Sequence, residues 1–130
     1  MFLGLRTVVY PAPDLAVSRD WFARLLGVEP YFDQPFYVGF QVGGYELGLL
    51  PTPEDRSPLP AVAYWGVPDA DAALATLVAA GATVVEPVTD VGEGIRTAEV
   101  TEPGGSVMGI IENPHFRLPA APPVSDGPGR

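Results

Sequence analysis

The sequence has no cysteine and only one histidine among its 130 residues. Without cysteine the chain has no disulfide, no thiol nucleophile and no thiolate ligand for a metal ion. The histidine, His115, follows the last predicted strand, so no Ser-His-Asp or helical Glu-His arrangement can be assembled around it. The common nucleophilic and zinc-hydrolytic active sites are therefore excluded.

Long apolar runs are also absent, and positive charge is scarce. The longest apolar run, residues 70–82, is interrupted by Asp71 and Thr76 and is shorter than the roughly 20 residues of a membrane helix. Residues 1–6 lack the pattern of a signal peptide, which together with the missing cysteines predicts a cytoplasmic protein. The formal net charge of −9 argues against nucleic acid and anionic membranes as partners, because both would be repelled. The same charge is compatible with a cationic ligand or simply with solubility.

What the sequence does contain is an internal repeat. Pro13-Asp14 recurs as Pro68-Asp69, 55 residues later, and the strand segment 48–50 (Gly-Leu-Leu) recurs as 109–111 (Gly-Ile-Ile), 61 residues later. A repeat of this length is a whole supersecondary unit, and two such units pair to bury faces that neither could bury alone. The sequence therefore predicts a cleft between two similar halves.

The repeat sets the domain organisation. We expect a single domain at 1–118, built of two modules at about 5–50 and 61–112, with a proline-rich linker at 51–60. Residues 119–130, rich in proline and glycine, are expected to form a disordered tail.

Each module contains one helix among strands. In both modules an aspartate, Asp14 or Asp69, is placed to cap the helix, and a glycine, Gly27 or Gly81, to end it. In the second helix Leu74, Leu77 and Val78 are expected to face the core. In the first module the strands are predicted at 5–10, 36–42 and 45–50, with a short extended piece at 28–32. In the second module they are predicted at 61–67, 83–87, 95–100 and 106–112.

Three segments carry a resemblance to a known family. They are 7–15 (TVVYPAPDL), 62–69 (VAYWGVPD) and 102–106 (EPGGS). In order, spacing and duplication they resemble the vicinal oxygen chelate superfamily, which comprises glyoxalases, bleomycin-resistance proteins and extradiol dioxygenases. The resemblance implies an α+β fold of two βαβββ modules, each a half-barrel, around a ligand groove. It also implies a homodimer.

The resemblance further implies where metal-using members place their ligands. Matched motif by motif, these positions fall on Thr7, Gly48, Val62 and Gly109. Glycine and valine offer no donor atom, whereas a catalytic divalent ion needs about three protein ligands. Glu46 alone could approach an ion there. We therefore expect no metal and no other cofactor.

Alternation from Thr7 and Val62 predicts that Tyr64 faces the groove. Tyr37 and Glu46 are further candidates for the groove wall, and Arg96 is a candidate for its rim. Aromatic walls with a few polar groups suit a flat organic ligand. The predicted ligand-binding residues are therefore Thr7, Tyr37, Glu46, Gly48, Val62, Tyr64, Arg96 and Gly109.

Three functions remain open. The first is metal-free binding of a small organic molecule, aromatic or cationic, in the groove between the modules. The second is a lyase, isomerase or dioxygenase with a non-standard site around Glu46, Glu99 or His115. The third is a chain kept for an interaction surface. His115 itself is either a general base reaching over the groove or a surface or capping imidazole where the chain leaves the domain.

Overall fold

The computed structural model describes residues 1–53 and 60–117. The first module contains β1 (Gly4–Ala12), α1 (Leu15–Leu26), β2 (Phe32–Gln34), β3 (Tyr37–Val42) and β4 (Tyr45–Pro51). The second contains β5 (Val62–Gly66), α2 (Ala70–Ala79), β6 (Thr83–Gly92), β7 (Ile95–Thr101) and β8 (Val107–Glu112). The predicted α+β fold with two βαβββ modules is confirmed.

All the strands belong to one eight-stranded mixed sheet, in the order β2-β3-β4-β1-β5-β8-β7-β6. Within each module the first and last strands pair in parallel, β1 with β4 and β5 with β8. The two first strands, β1 and β5, pair antiparallel and join the modules at the centre of the sheet. The duplication in the sequence thus becomes an approximate twofold arrangement about the β1–β5 pair.

Both helices begin at the predicted aspartates. The Asp14 side chain accepts a hydrogen bond from the Val17 N–H, and the Asp69 side chain accepts one from the Ala72 N–H. These bonds satisfy backbone donors that the first turn of a helix leaves without partners. The first helix ends at Gly27, whose left-handed φ of 73° allows its N–H to reach the Ala23 carbonyl.

The helices pack on the same face of the sheet, which we call the helix face. The buried cluster at α1 includes the large side chains of Phe40 and Leu49, whereas three of the five buried residues at α2 are alanines, two of them in the helix itself. The first cluster consists of Ala12, Val38, Phe40 and Leu49, and the second of Val67, Ala70, Ala73, Ala98 and Ile110. The opposite face, which we call the open face, carries the alternate residues of the same strands.

Several boundaries differ from the predictions. β1 continues through Pro11, because at that end it pairs only with β4, and proline is tolerated where one side of a strand is open. β6 runs to Gly92 rather than ending at residue 87, with three register shifts against β7. Val78 is 46% exposed, so its predicted place in the core is wrong, whereas Leu74 and Leu77 do pack there.

Two predicted segments lie mainly beyond what the structure describes. Residues 54–59 of the linker and the tail from 119 onward are outside the described residues, although Pro51 is seen to complete β4. Within the described part of the chain, no helix has the length and apolar character needed to cross a membrane.

Candidate functional site

The strand register places five residues side by side across the centre of the open face. Thr7 pairs with Glu46 on one side and Tyr64 on the other, Tyr64 pairs with Gly109, and Gly109 pairs with Glu99. We call this the central row. Strands lie about 4.8 Å apart, so the two glutamates are separated by about 19 Å along the sheet. Each module therefore contributes one carboxylate to the same row.

Glu46 is the most connected side chain of the row. Its Oε1 accepts hydrogen bonds from Tyr37 Oη at 2.9 Å and Thr7 Oγ1 at 3.2 Å, and its Oε2 accepts one from the Tyr31 hydroxyl. Thr7 is buried, with 7% of its surface exposed, so its hydroxyl depends on this carboxylate. The three donors come from β1, β3 and the loop before β2, and they fix the position of the carboxylate.

Glu99 has a simpler environment. Its Oε2 accepts one hydrogen bond, from Tyr64 Oη, at 2.5 Å. Tyr64 extends from β5 across β8, so this bond links three neighbouring strands. Both carboxylates of the central row are thus held by tyrosine hydroxyls.

Two glycines make room for these tyrosines. A Cβ added at Gly48 would lie 1.9 Å from Tyr37 Oη, and a Cβ added at Gly109 would lie 2.3 Å from Tyr64 Cδ2. Both distances are far inside van der Waals contact, so only glycine fits beneath the rings in this arrangement. These are the repeated glycines of the sequence, and their role is to leave space for aromatic side chains.

The tyrosine hydroxyls are held in their protonated form. Burial, together with the hydrogen bond and charge of Glu46, raises the pKa values of Tyr31 and Tyr37 well above the ordinary value of 10.0. Burial and the hydrogen bond to Glu99 raise the pKa of Tyr64 in the same way. At neutral pH these groups are therefore hydrogen-bond donors and not nucleophiles.

The donor set does not fit a divalent metal ion. Of the positions that the resemblance assigns to metal ligands, only Thr7 carries a donor atom, and its hydroxyl already bonds Glu46. Gly48 and Gly109 are covered by the tyrosine rings described above. Among the described residues, no three His, Cys, Asp or Glu side chains come together in a way that could hold a metal.

Open space lies beside the central row rather than above its tyrosines. A cavity of about 430 Å³ is lined by Thr7 and Glu46 of the row and by Leu5, Arg6, Val8 and Tyr45. A second cavity, of about 310 Å³, is lined by Arg6 together with Gly66, Phe116 and Arg117. Volumes of this size accommodate small organic molecules.

Most of the predicted site residues come together. The structure brings Thr7, Tyr37, Glu46, Gly48, Tyr64 and Gly109 to the central row or its immediate neighbours. Val62 precedes Tyr64 by two residues on β5 and shares its face.

Arg96 is a correction, because it lies on the helix face and not at the rim of the groove. Its Nη1 is 2.8 Å from Asp71 Oδ2 of α2 and 3.7 Å from Glu112 Oε1. On β7 it shares its face with Ala98 and Val100, which are buried, whereas Glu99 faces the other way.

Tyr31 was missed as a site residue because it precedes β2 and has no place in the alternation of a strand. Its ring lies over Gly39, where an added Cβ would be 3.0 Å from Tyr31 Cε1. A glycine in the middle of a predicted strand signals such a close approach. Gly39 was therefore the available clue.

His115 ties the chain after β8 to the turn between β6 and β7. Its Nε2 lies 2.8 Å from the Glu93 carbonyl oxygen, and its backbone N–H donates to Asn113 Oδ1 at 2.9 Å. No contact joins His115 to the central row among the hydrogen bonds of the described residues. This geometry is the one that the capping hypothesis predicted.

Comparison with known proteins gives a family and a fold. The sequence profile of the Glyoxalase/Bleomycin resistance protein/Dioxygenase superfamily matches residues 4–109. No curated protein matches the chain.

Several solved structures share the architecture at low identity. The chain is similar to Streptomyces coelicolor methylmalonyl-CoA epimerase in complex with 2-nitronate-propionyl-CoA, with 14% identity and a TM-score of 0.73 over 92% of this chain and 100% of the other. Methylmalonyl-CoA epimerase from Mycobacterium tuberculosis gives 20% identity and a TM-score of 0.68, covering 85% and 88%. A superfamily member from Vibrio splendidus 12B01 shows 18% identity and a TM-score of 0.63, over 84% of this chain and 99% of the other. At these identities the likeness establishes the fold.

Proposed function

The chain belongs to the Glyoxalase/Bleomycin resistance protein/Dioxygenase superfamily, and from this premise we propose that it binds a small organic molecule on the open face without a metal ion. The observation that carries the proposal is the pair of tyrosine rings over Gly48 and Gly109. At these two positions, where the resemblance places metal ligands, the chain has aromatic rings whose hydroxyl groups donate to Glu46 and Glu99.

The polar groups indicate the kind of ligand. Glu46 lies at the junction of the central row and the 430 Å³ cavity, which is otherwise mostly apolar. A carboxylate against an apolar wall favours a ligand with a cationic or hydrogen-bond-donating group on a flat apolar body. The net charge of −9 would attract such a cation from solution.

Titration of the purified protein with planar cationic drugs tests this proposal. We expect a saturable change in tyrosine and tryptophan fluorescence, weakened about tenfold by Glu46→Gln, which removes the charge at nearly constant shape. Glu29→Gln is the matched control, because it makes the same charge change on the exposed loop after α1.

Two results would contradict the proposal. One is the lack of a saturable response across a broad panel of planar cations and neutral aromatics. The other is stoichiometric metal in the protein as isolated, measured by elemental analysis, whose removal abolishes binding.

A homodimer in the cytoplasm is part of the same proposal. The two edge strands, β2 and β6, are exposed along nearly all their residues, and open edges favour pairing with another chain. Exposed apolar side chains such as Trp21, Leu25 and Phe36 provide further surface for an interface. Light scattering coupled to size exclusion should give the mass of a dimer at micromolar concentration, and cell fractionation tests the location.

The second candidate is an isomerase that moves a proton without a metal. It is favoured by one observation, the two glutamate–tyrosine pairs that the modules contribute to one row. One carboxylate would remove a proton from a carbon next to a carbonyl and, once protonated, would return it to the resulting enolate. The similar epimerases make methylmalonyl-CoA a reasonable probe, and its incubation in D₂O should then show exchange that either Glu46→Gln or Glu99→Gln abolishes.

A further inference from the structure

Some arginines of the described residues form salt bridges with carboxylates, and others do not. All seven cationic side chains are arginines, and five of them belong to the described residues. Arg19 and Arg96 form salt bridges with nearby carboxylates. Arg6, Arg24 and Arg117 form none with any residue that the structure describes. In a chain with a net charge of −9, three such cations are unexpected.

Two of the three line one cavity. Arg6 and Arg117 both border the 310 Å³ cavity, together with Asn113 and Phe116. The Arg6 guanidinium carbon lies 3.8 Å from the centroid of the Phe116 ring, and the stacking fixes the plane of the guanidinium. Arg24, by contrast, is in the last turn of α1 and does not border this cavity.

Both guanidinium groups retain donors for a ligand. Arg6 Nη1 donates to the Leu5 carbonyl at 3.1 Å, and Arg117 Nη1 donates to the Phe116 carbonyl at 2.7 Å and, at 3.4 Å, to the Pro114 carbonyl. A guanidinium has five N–H donors, so most remain available on each side chain. Arg6 is partly buried, and a partly buried cation without a counter-charge is costly, so an anion in the cavity would relieve that cost. Arg117 is exposed and would add a second donor to the same anion.

The one carboxylate on the cavity wall is already matched. Glu112 Oε1 accepts the Ala70 N–H at 2.8 Å and lies 3.7 Å from Arg96 Nη1. The Glu112 carboxylate therefore interacts with the start of α2 and with Arg96 on the helix face. Neither Arg6 nor Arg117 therefore has a carboxylate partner among residues 1–53 and 60–117.

The fold places Arg6 beside the central row. A Cβ at Gly66 would lie 2.7 Å from Arg6 Nε, so the lack of a side chain at Gly66 leaves room for the Arg6 side chain on the open face. Gly66 follows Tyr64 by two residues on β5, a distance of about 7 Å. Arg6 also borders the 430 Å³ cavity that contains Glu46. The Arg6 side chain therefore lines both cavities.

We propose that Arg6 and Arg117 form an oxyanion subsite at the end of the open face, which receives a carboxylate or phosphate group of the ligand. The inference rests on the proposed function, because it assigns a second recognition point to the same binding face. The planar forks of two arginines match oxyanions with paired hydrogen bonds, which single ammonium groups cannot do. The ligand then carries an oxyanion about 7 Å from the part that meets the central row.

Two-dimensional ¹H–¹⁵N NMR titration of the full chain tests the subsite. Inorganic phosphate and benzoate serve as separate probes, so that the phosphate and carboxylate sources are distinguished. We expect saturable shifts of Gly66, Ile111 and Phe116 with at least one probe, and about tenfold weaker binding in each of Arg6→Gln and Arg117→Gln. Arg24→Gln, with the same charge change outside the cavity, should bind as the unmodified chain does.

A further variant covers the case in which Arg6→Gln disturbs the fold. Arg6→Lys keeps the charge but not the planar fork, so it should still weaken the carboxylate probe more than Arg24→Gln does. Shifts unaffected by the arginine substitutions, or lowered equally by Arg24→Gln, would overturn the subsite.

The planar cations of the previous section separate the two ideas. If they bind normally while neither anion binds, the subsite is wrong and the proposed function stands. If neither class of probe binds, both are wrong. If the anions alone bind through Arg6 and Arg117, the subsite stands and the cationic ligand is wrong.

Discussion

The two modules repeat the order of their elements but fill their interiors differently. The first packs Phe40, Leu49 and Val38 beneath a helix none of whose residues is fully buried. The second packs Ala98 and Ile110 against a helix that buries two alanines. Duplication thus preserved the backbone topology and left the side chains free to diverge, because each cluster needs only to fill its own volume.

The open face shows the same divergence. Glu46 in the first module accepts hydrogen bonds from three hydroxyl groups, and Glu99 in the second accepts one. The last strand of each module has a glycine beneath a tyrosine ring, Gly48 in β4 and Gly109 in β8. The ring over Gly48 comes from β3, whereas the ring over Gly109 comes from β5. The modules share the space above the glycine, but a tyrosine from a different strand fills it in each module.

The largest expected effect comes from filling that space. Gly109→Ala and Gly48→Ala should each lower the free energy of unfolding by about 1–3 kcal/mol, because the added methyl displaces a packed ring. Urea denaturation followed by circular dichroism measures the change.

A second substitution distinguishes the two glycine sites. The atom nearest to a Cβ at Gly48 is the Tyr37 hydroxyl oxygen, so Tyr37→Phe should partly rescue Gly48→Ala. At Gly109 the nearest atoms belong to the Tyr64 ring itself, so Tyr64→Phe should not rescue Gly109→Ala. Equal rescue at both sites would show that the rings do not lie as described.

The next effect concerns the two carboxylates. Glu46→Ala leaves the buried Thr7 hydroxyl and the half-buried Tyr37 hydroxyl without an acceptor, whereas Glu99→Ala leaves only that of Tyr64. Because each such group costs about 1–3 kcal/mol, Glu46→Ala should destabilise the protein about twice as much as Glu99→Ala.

A double-mutant cycle of Glu46→Ala with Thr7→Val provides the control for this prediction. Thr7→Val removes one of the hydroxyls that lose an acceptor, so the two changes should be less than additive. Strict additivity would contradict the Thr7–Glu46 hydrogen bond.

A smaller effect should appear at alkaline pH. Tyr31, Tyr37 and Tyr64 have pKa values raised above 10.0 in the folded chain, so the folded state keeps protons that the unfolded state releases. Stability from this source is complete below about pH 10 and falls as the pH rises from there toward the folded pKa values. Denaturation series at pH 8–12, with absorbance at 295 nm to follow tyrosinate, measure this.

The alkaline effect also compares the modules. Tyr31→Phe combined with Tyr37→Phe should flatten the pH dependence more than Tyr64→Phe, because the first module holds two of the three shifted tyrosines. The reverse order would mean that the network around Glu46 is looser than that around Glu99.

The smallest effect is at the helix starts. Asp14→Ala should cost about 1 kcal/mol, the usual value of an N-cap. Asp69→Ala should cost less, because the Glu112 side chain also accepts a hydrogen bond at the start of α2, from the Ala70 N–H at 2.8 Å. Thermal unfolding of the two variants side by side decides this, and a larger loss for Asp69→Ala would be unexpected.

Much of the fold could be predicted because its signals are local. The aspartate caps and the Gly27 stop each act within a few residues, and the structure has them where the sequence places them. The placement of Thr7, Glu46 and Tyr64 on one face followed from the alternation of side chains along strands. Strand lengths were less predictable, as β1 and β6 show, because pairing partners decide how far a strand continues.

The site was harder to predict wherever contacts cross between elements. Arg96 was wrongly placed at the rim of the groove. Its partners, Asp71 and Glu112, lie on α2 and β8, and only the folded chain brings them beside it. Tyr31 was overlooked because its bond to Glu46 joins a loop to a strand that is two places away in the sheet. The pairing of Arg6 with Phe116 joins the two ends of the described chain, and no pattern in the sequence signals it.

The sequence by itself determined the two modules, their capped helices and the absence of donor atoms at three of the four expected metal positions. These depend on residue identity and on spacing within one element, which the chain carries before it folds. The tertiary structure alone decided that tyrosine rings fill the space above Gly48 and Gly109, and that two arginines meet beside them. Such contacts depend on strand register and on the twist of the sheet, which emerge only when distant segments pack against one another.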